Sequence, residues 1–523
     1  MSVISQRPAR TGRIQEFGLL VLAFSLGLIA WILVTIGVSP SANIQAIPDN
    51  FVFVAVLLGA VVFGAHFLIR KTAPWADPVL FPTAVALNGL GLVMIHRIDT
   101  TLVKTSGRTE VGSQLILSIV GVALMLGAIM IIRDHRKLRK YTYISLLAGI
   151  TLLLLPMLPV IGKQINGARL WIRVAGFSFQ PAELAKIAFV IFFAGYLISQ
   201  RDNLALAGKK IFGIQLPQLR HFAPILVAWA ASLAILALEK DFGTALLFFG
   251  LFVAVLYVAT ERVSWLIIGG ILSTAGIYVI VQLMPHIQAR FTVWLHALDG
   301  EVYDQAYGSY QLVQGLFGMA SGGLFGTGWG NGYPTKSYAS NSDFIIPSFG
   351  EELGMIGLLA ILGLYLILVF RAFSTGIHLR DGFGKLLAAG FGFAIALQCF
   401  VVVGGVTRVI PLTGLAMPFL ALGGSALLAN WIIIGVLIRM SDDARRPVTP
   451  VSTPLSAIDT ANLRELIGDD ALTPSGESNS STDSRSGATD TDAPASSETR
   501  NGSNAQIDDE DDGNSQLTEV VRL

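Results

Sequence analysis

The sequence predicts an all-α protein, a polytopic transmembrane helical bundle, and three observations carry that reading. Hydrophobic residues make up 53% of the 523-residue chain and charged residues only 14%. Apolar runs of roughly 20 residues, the length a helix needs to cross a hydrocarbon core, recur from Phe17 to Ile438. These runs are long and little interrupted, unlike the short alternating segments of a membrane β-barrel.

In chain order the runs place about twelve spans, near residues 17–38, 51–70, 78–95, 111–132, 141–162, 182–199, 221–238, 242–260, 263–284, 348–370, 386–407 and 412–438. Arg7, Arg10 and Arg13 precede the first run as in a signal sequence, but the run is too long and no small-residue cleavage site follows, so it reads as a retained span. Lys and Arg collect in cytoplasmic loops. With an even span count and the N-terminus inside, "RDHRKLRK" at 133–140, Arg70 and Lys71, Lys209 and Lys210, and Arg445 and Arg446 all fall inside. That gives roughly 21 basic residues inside against about 10 outside.

The net charge of +1 conceals two unlike parts. From Ser441 onward there are 17 acids against 6 bases, so the membrane part is basic and the tail acidic. The tail is rich in Ser, Thr, Asp and Gly, with too little apolar surface to offset the entropy of ordering, and reads as disordered. The single cysteine, Cys399, cannot form an intrachain disulfide.

The segment 285–347 is far longer than the other connections and falls outside under this topology. Within it "SYQLVQGLFGMA" places Leu312, Val313, Leu316 and Phe317 along one helical stripe, which predicts a short helix at the interface. The following "SGGLFGTGWGNG" cannot hold a helix and lets backbone approach another helix or a ligand.

Ionisable groups in or beside spans are costly and therefore mark candidate sites. In "FSFQPAELAK", Pro181 suits a first helical turn and Glu183 the positive end of the helix dipole, with Lys186 on the same face; a capped helix start with a local ion pair explains the pattern equally well. "LEKDFGTA" holds Glu239, Lys240 and Asp241 and reads as an ordinary turn. In "NSDFIIPSFGEELG", Asp343 precedes a span and Glu351 and Glu352 lie in its first turns, so at least one of the two needs a basic partner or a wet cavity. Arg408, between two spans near Pro411 and Pro418, suits an acid or a phosphate. No Walker loop, dinucleotide fingerprint, HExxH or Cys/His cluster appears, and His96, His135 and His378 read as loop or interface residues. The basic clusters are explained by topology, which leaves no case for nucleic acid.

Taken in order, "NGARLW", "FSFQPAELAK", "DFGTALL", "GSYQLVQ", "SDFIIPSFGEELG" and "IPLTGLAMPF" resemble the SEDS family of shape, elongation, division and sporulation proteins, over residues 78–440. The run "GGVTRVIPLTGLAMPF" resembles its RodA-like elongation branch, and two extra N-terminal spans with an acidic tail resemble the actinobacterial type. The implied organisation is a cytoplasmic N-terminus (1–16), two additional spans (17–75), a ten-span core (76–440) carrying the loop 285–347, and a cytoplasmic tail (441–523).

The resemblance implies a peptidoglycan glycosyltransferase that polymerises lipid II at the outer face of the bacterial cytoplasmic membrane, partnered by a class B penicillin-binding protein transpeptidase. The family's catalytic acid is an aspartate six residues before a Tyr-Gln pair, and Asp304 stands six before Tyr310. Arg169, Trp171, Glu183, Lys186, Tyr310, Gln311, Asp343, Glu351, Glu352 and Arg408 fall on motif positions expected to meet substrate. The chain departs from the pattern at Gln305, where Pro is usual, at Ala182 and at Ala421-Leu422; the first leaves Asp299 as a neighbouring candidate acid. No cofactor is fixed by the sequence, though a divalent cation such as Mg or Mn held by acids is compatible with a diphosphate leaving group.

Two other readings stay open. A lipid II transporter would use the same intramembrane charges, although no convincing inverted repeat is found and the polar groups gather toward the outer side. A scaffold that only recruits a partner synthase would make the outer acids structural.

Overall fold

The computed structural model describes residues 9–39, 48, 50–106, 109–159, 161–165, 168–174, 177–205, 210–211, 214–215, 227, 230, 233–235, 238–305 and 308–447. Among them, 11 helices are long and apolar enough to cross a membrane. In chain order the helices are α1 (Ala9–Val38), α2 (Phe51–Thr72), α3 (Leu80–Ser106), α4 (Val111–Ile131), α5 (Thr142–Leu154), α6 (Ala182–Ala205), α7 (Phe242–Thr260), α8 (Ser264–Leu283), α9 (Pro285–Leu295), α10 (Gly300–Tyr303), α11 (Tyr310–Gly322), α12 (Ile345–His378), α13 (Gly382–Val406) and α14 (Gly424–Arg445). Most of the expected span 221–238 lies outside the described residues, and its described positions, Val227, Ala230, 233–235 and Leu238, are helical.

Several expected boundaries move, α1 starting at Ala9 and α12 ending at His378 among them, and three of the shifts have a clear local reason. α3 runs on to Ser106, because nothing in "HRIDTTLVKTS" breaks a helix. α5 stops at Leu154, where Pro156 closes a 3₁₀ turn, instead of reaching 162. The last span starts at Gly424 and not at 412, because Pro411 and Pro418 remove backbone donors and Gly414 and Phe419 take positive φ of 76° and 66°. The expected outer loop before α6 holds a three-stranded antiparallel sheet, β1 (Gly162–Ile165), β2 (Ala168–Val174) and β3 (Phe177–Phe179). In "RLWIRV" Leu170, Ile172 and Val174 fall at every second position, between Arg169, Trp171 and Arg173, the period of a strand.

The core lies around α13 and α14, which are buried on most sides. α4 runs along α14, where Gly121 leaves room for the Trp431 indole. α1 packs on α3 and α2 on α4, while Leu22, Ile29, Val52 and Phe53 face outward. Exposed side chains of this kind on a spanning helix belong to lipid.

The face opposite the long loop is stapled by ion pairs. Asp77 meets Arg371 at 2.7 Å and also Arg445, while Asp442 accepts from the Trp75 amide at 2.8 Å and from Arg446 at 2.6 Å. His135 is buried between Asp381 (2.9 Å) and Asp443 (3.1 Å), an interface position, which is one of the two uses expected of it.

Candidate functional site

The long loop is built on a broken helix. α12 is interrupted at Gly354, whose φ of 68° and ψ of −171° are closed to other residues without strain. The break frees carbonyls on one side and amides on the other, and the glycine-rich stretch takes up both. Thr327 and Gly328 donate their amides to the Glu351 and Glu352 carbonyls (2.9 and 3.0 Å); Met355 and Ile356 donate to the Gly323 and Leu324 carbonyls (2.9 and 3.1 Å). A Cβ on Gly354 would run into the backbone of Gly326 and Leu324, and one on Gly326 into the backbone of Glu352 and Leu353, so neither position has room for it. The close approach expected of "SGGLFGTGWGNG" is therefore made, and it keeps irregular backbone satisfied at depth.

The two adjacent acids before the break have different surroundings. Glu352 is fully buried and pairs with Arg97 of α3 at 2.7 Å; Arg97 also donates to the Gly332 and Gly330 carbonyls at 2.7 and 3.2 Å. Glu351 accepts from the Tyr333 amide at 2.8 Å and lines a cavity of about 290 Å³ between α11 and the first half of α12. One acid thus has the basic partner and the other the cavity. Lys336, whose ammonium lies 4.9 Å above the Tyr333 ring, also lines this cavity, with Gln314, Ser321 and Ser348.

Gln314 links the cavity to the predicted base. Its amide donates to the Tyr303 hydroxyl at 2.9 Å, and Tyr303 packs on Tyr310 with ring centroids 5.4 Å apart. The next residue, Asp304, ends α10 exposed, and its carboxylate has no hydrogen-bond or ion-pair partner among the described residues. The alternative acid, Asp299, is paired with His296 at 3.0 Å. Gln311 donates to the Tyr338 carbonyl at 2.8 Å and so holds the end of the glycine-rich stretch over α11.

The remaining expected residues form other groups. Glu183 and Lys186 pair at 2.8 Å in the core, as a local ion pair would, and the Lys186 ammonium also donates to the Gln398 amide oxygen of α13 at 2.7 Å. Asp343 is half-buried beside Gly414. Burial pushes its carboxyl up to about 6 against the pull of the Arg290 guanidinium. Arg290 itself donates to the Leu412 and Thr413 carbonyls at 3.2 and 3.1 Å, pinning the non-helical stretch before α14. Asp241 caps α7 through the Thr244 amide at 2.9 Å, so the turn reading of "LEKDFGTA" accounts for it. Arg408 was expected to face an acid or phosphate; it instead donates to the Trp294 and Leu295 carbonyls at 2.8 and 3.0 Å, closing the C-terminus of α9, with no carboxylate paired to it among the described residues. Arg169 is exposed and Trp171 half-buried on β2.

Sequence reasoning missed Arg97, Arg290, Gln314 and Lys336. Arg97 was recoverable from the unbroken helical pattern after residue 95, whereas Gln314 and Lys336 carry no signal until the loop is folded. Among the described residues the one group of three close metal-ligating side chains is Asp134, His135 and Asp443, on the opposite face. Among the described residues the loop face holds no such group of three.

Residues 78–446 match the family model for the FtsW/RodA/SpoVE cell cycle proteins. The chain is 45% identical over 408 residues to "Peptidoglycan glycosyltransferase RodA" of Mycobacterium leprae, covering 77% of this chain and 86% of that one. It is 33% identical over 370 residues to "Probable peptidoglycan glycosyltransferase FtsW" of Geobacter metallireducens, covering 70% and 94%. A solved chain from work on structural coordination of polymerization and crosslinking by a peptidoglycan synthase complex superposes with a TM-score of 0.55 at 23% identity, over 71% of this chain and 99% of that one, and shares its fold.

Proposed function

This chain belongs to the FtsW/RodA/SpoVE family, and on that premise we propose how it works as a peptidoglycan glycosyltransferase. Its substrate is lipid II, polymerised into glycan strands on the face of the bacterial cytoplasmic membrane that carries the long loop, with both termini in the cytoplasm. Its partner is a class B penicillin-binding protein transpeptidase that crosslinks the product.

The supporting observation is the polar cavity between α11 and α12, linked through Gln314 to Tyr303, the residue before Asp304, whose carboxylate has no partner among the described residues. Glycan transfer needs a sugar hydroxyl to attack the anomeric carbon of a lipid-linked diphosphate donor. Asp304 accepts the hydroxyl proton as the new bond forms, a contribution of about 10²–10⁴-fold. Its carboxylate, exposed and without a partner among the described residues, is accessible to that hydroxyl. The departing diphosphate gains negative charge, and cations facing it lower the barrier. Lys336, which lines the cavity, and Arg169, exposed on β2, are the candidates for this, neither having a paired carboxylate among the described residues. Attack opposite the leaving group inverts the anomeric centre and yields β-linkages from an α-linked donor.

Glu351, Gln314 and the serines of the cavity bind sugar hydroxyls, while Glu352 with Arg97 and Lys186 with Glu183 and Gln398 keep the surrounding helices in register. The purified chain in vesicles should lengthen labelled lipid II. Movement of the label across the bilayer without lengthening would support a transporter instead.

A further inference from the structure

The face opposite the long loop carries the densest basic cluster of the sequence, "RDHRKLRK" at 133–140, and most of it winds into a 3₁₀ helix, His135–Tyr141. Residues three apart stand above one another in such a helix, so its seven residues fall on three edges. His135, Leu138 and Tyr141 share the first, Arg136 and Arg139 the second, and Lys137 and Lys140 the third. The first edge turns inward, with His135 fully buried and Leu138 packed on the core. All four basic side chains of the other two are exposed.

The bonds that hold this helix also occupy the acids around it. His135 meets Asp381, in the connection between α12 and α13, at 2.9 Å, and Asp443, in the last turn of α14, at 3.1 Å. Asp381 further accepts from the Gly384 amide at 2.7 Å, Asp443 lies 3.5 Å from Arg439, and Asp134 caps the helix by accepting from the Arg136 amide at 3.0 Å. Arg136 leans on Asp381 at 3.4 Å, whereas Lys137, Arg139 and Lys140 have no carboxylate partner among the described residues. A fixed backbone thus presents three uncompensated cations.

Hydrocarbon flanks them on both sides in the chain. Met130 and Ile131 at the end of α4, and Tyr143, Ile144 and Leu147 at the start of α5, are all more than half exposed, as lipid-facing side chains of spanning helices are. Tyr141, with the Lys140 ammonium 4.6 Å above its ring, adds an amphipathic group suited to headgroup depth. An acidic protein surface would meet the cations but not the apolar side chains beside them. An anionic phospholipid meets both, its acyl chains lying along α4 and α5 and its phosphodiester against the lysines and Arg139, whose guanidinium can hold two oxygens. We infer that this 3₁₀ helix is a binding site for the headgroup of an anionic phospholipid, in the leaflet opposite the long loop. The inference goes beyond the polymerase reading and rests on no part of it.

The test is photolabelling of the full chain in phosphatidylcholine nanodiscs, with labelled peptides mapped by mass spectrometry. Phosphatidylglycerol and phosphatidylcholine probes carry the same diazirine near the glycerol. A basic residue at the membrane surface favours an anionic lipid by about fivefold, so the phosphatidylglycerol probe should label residues 130–147 about tenfold or more above the other. Lys137→Gln with Arg139→Gln and Lys140→Gln spares the His135 bonds; it should cut that preference by about tenfold and leave the unfolding midpoint unchanged. Raising salt from about 0.1 to about 1 M should erode the wild-type preference as the charges are screened.

Equal labelling by the two probes, or an undiminished preference in the triple variant, would overturn the inference. Displacement of the label by free glycerophosphoglycerol as readily as by unlabelled phosphatidylglycerol would overturn the lipid assignment and leave a soluble phosphodiester site. Labelling needs no turnover, so its outcome is independent of whether the chain polymerises lipid II.

Discussion

Arg97→Leu should be among the most damaging single changes outside the reacting centre. In the intact protein the guanidinium meets the fully buried Glu352 carboxylate at 2.7 Å and holds the carbonyls of Gly332 and Gly330 at 2.7 and 3.2 Å. Leucine would leave Glu352 with one donor, the Gly330 amide at 3.1 Å, and would free the stretch that seals the break in α12. Removing one partner of a buried pair costs about 3–5 kcal/mol, whereas replacing both with apolar groups is often close to neutral. Arg97→Leu with Glu352→Met should therefore recover at least about 2 kcal/mol relative to additivity in a double-mutant cycle. Reversible unfolding of the purified protein in mixed detergent micelles measures all four corners. A single variant within about 1 kcal/mol of wild type, or strict additivity, would refute the assignment of this pair as the anchor of the loop.

Other substitutions test separate parts. Gly354→Ala puts a Cβ into the backbone of Gly326 at a φ of 68° and should cost about 1–3 kcal/mol, with polymerisation falling in step; unchanged unfolding would contradict the break as described. Lys186→Met strands the buried Glu183 carboxylate and should cost about 3–5 kcal/mol, while Lys186→Met with Glu183→Gln should be milder by the same unfolding measurement. Asp343 carries a pH signature. Its folded pKa of about 6 lies above the ordinary 3.8, so its contribution is fully present below about pH 4 and is lost as pH rises through 6, on the order of 3 kcal/mol in total. Asp343→Asn should flatten the stability profile between those values, and a profile identical to wild type would dismiss the effect.

Much of the fold was legible because the bilayer forces apolar runs to be helices, and the runs from Phe17 to Thr72 and from Phe242 to Leu283 were placed within a few residues. What failed was punctuation. The three strands before α6 are too short to register against helical periodicity, and the stretch 407–423 stays unwound although it is as apolar as a span. At the site, the argument that Glu351 and Glu352 could not both face lipid anticipated a partner and a cavity, since burial of two adjacent charges admits few solutions. It could not supply Arg97, more than two hundred positions away, nor distinguish Arg408 as a helix cap from a phosphate ligand, because both uses need the same guanidinium.

The most direct test of the account is glycan polymerisation from lipid II by the purified protein, with its partner's transpeptidase serine removed, comparing wild type with Asp304→Asn. Asp304 is exposed and has no partner among the described residues, so the substitution should leave unfolding unchanged. The account predicts polymer from wild type and a loss of about 10²–10⁴-fold in rate for the variant. Equal polymerisation by both proteins would contradict it and move the base elsewhere, to Asp299 or Asp343 first.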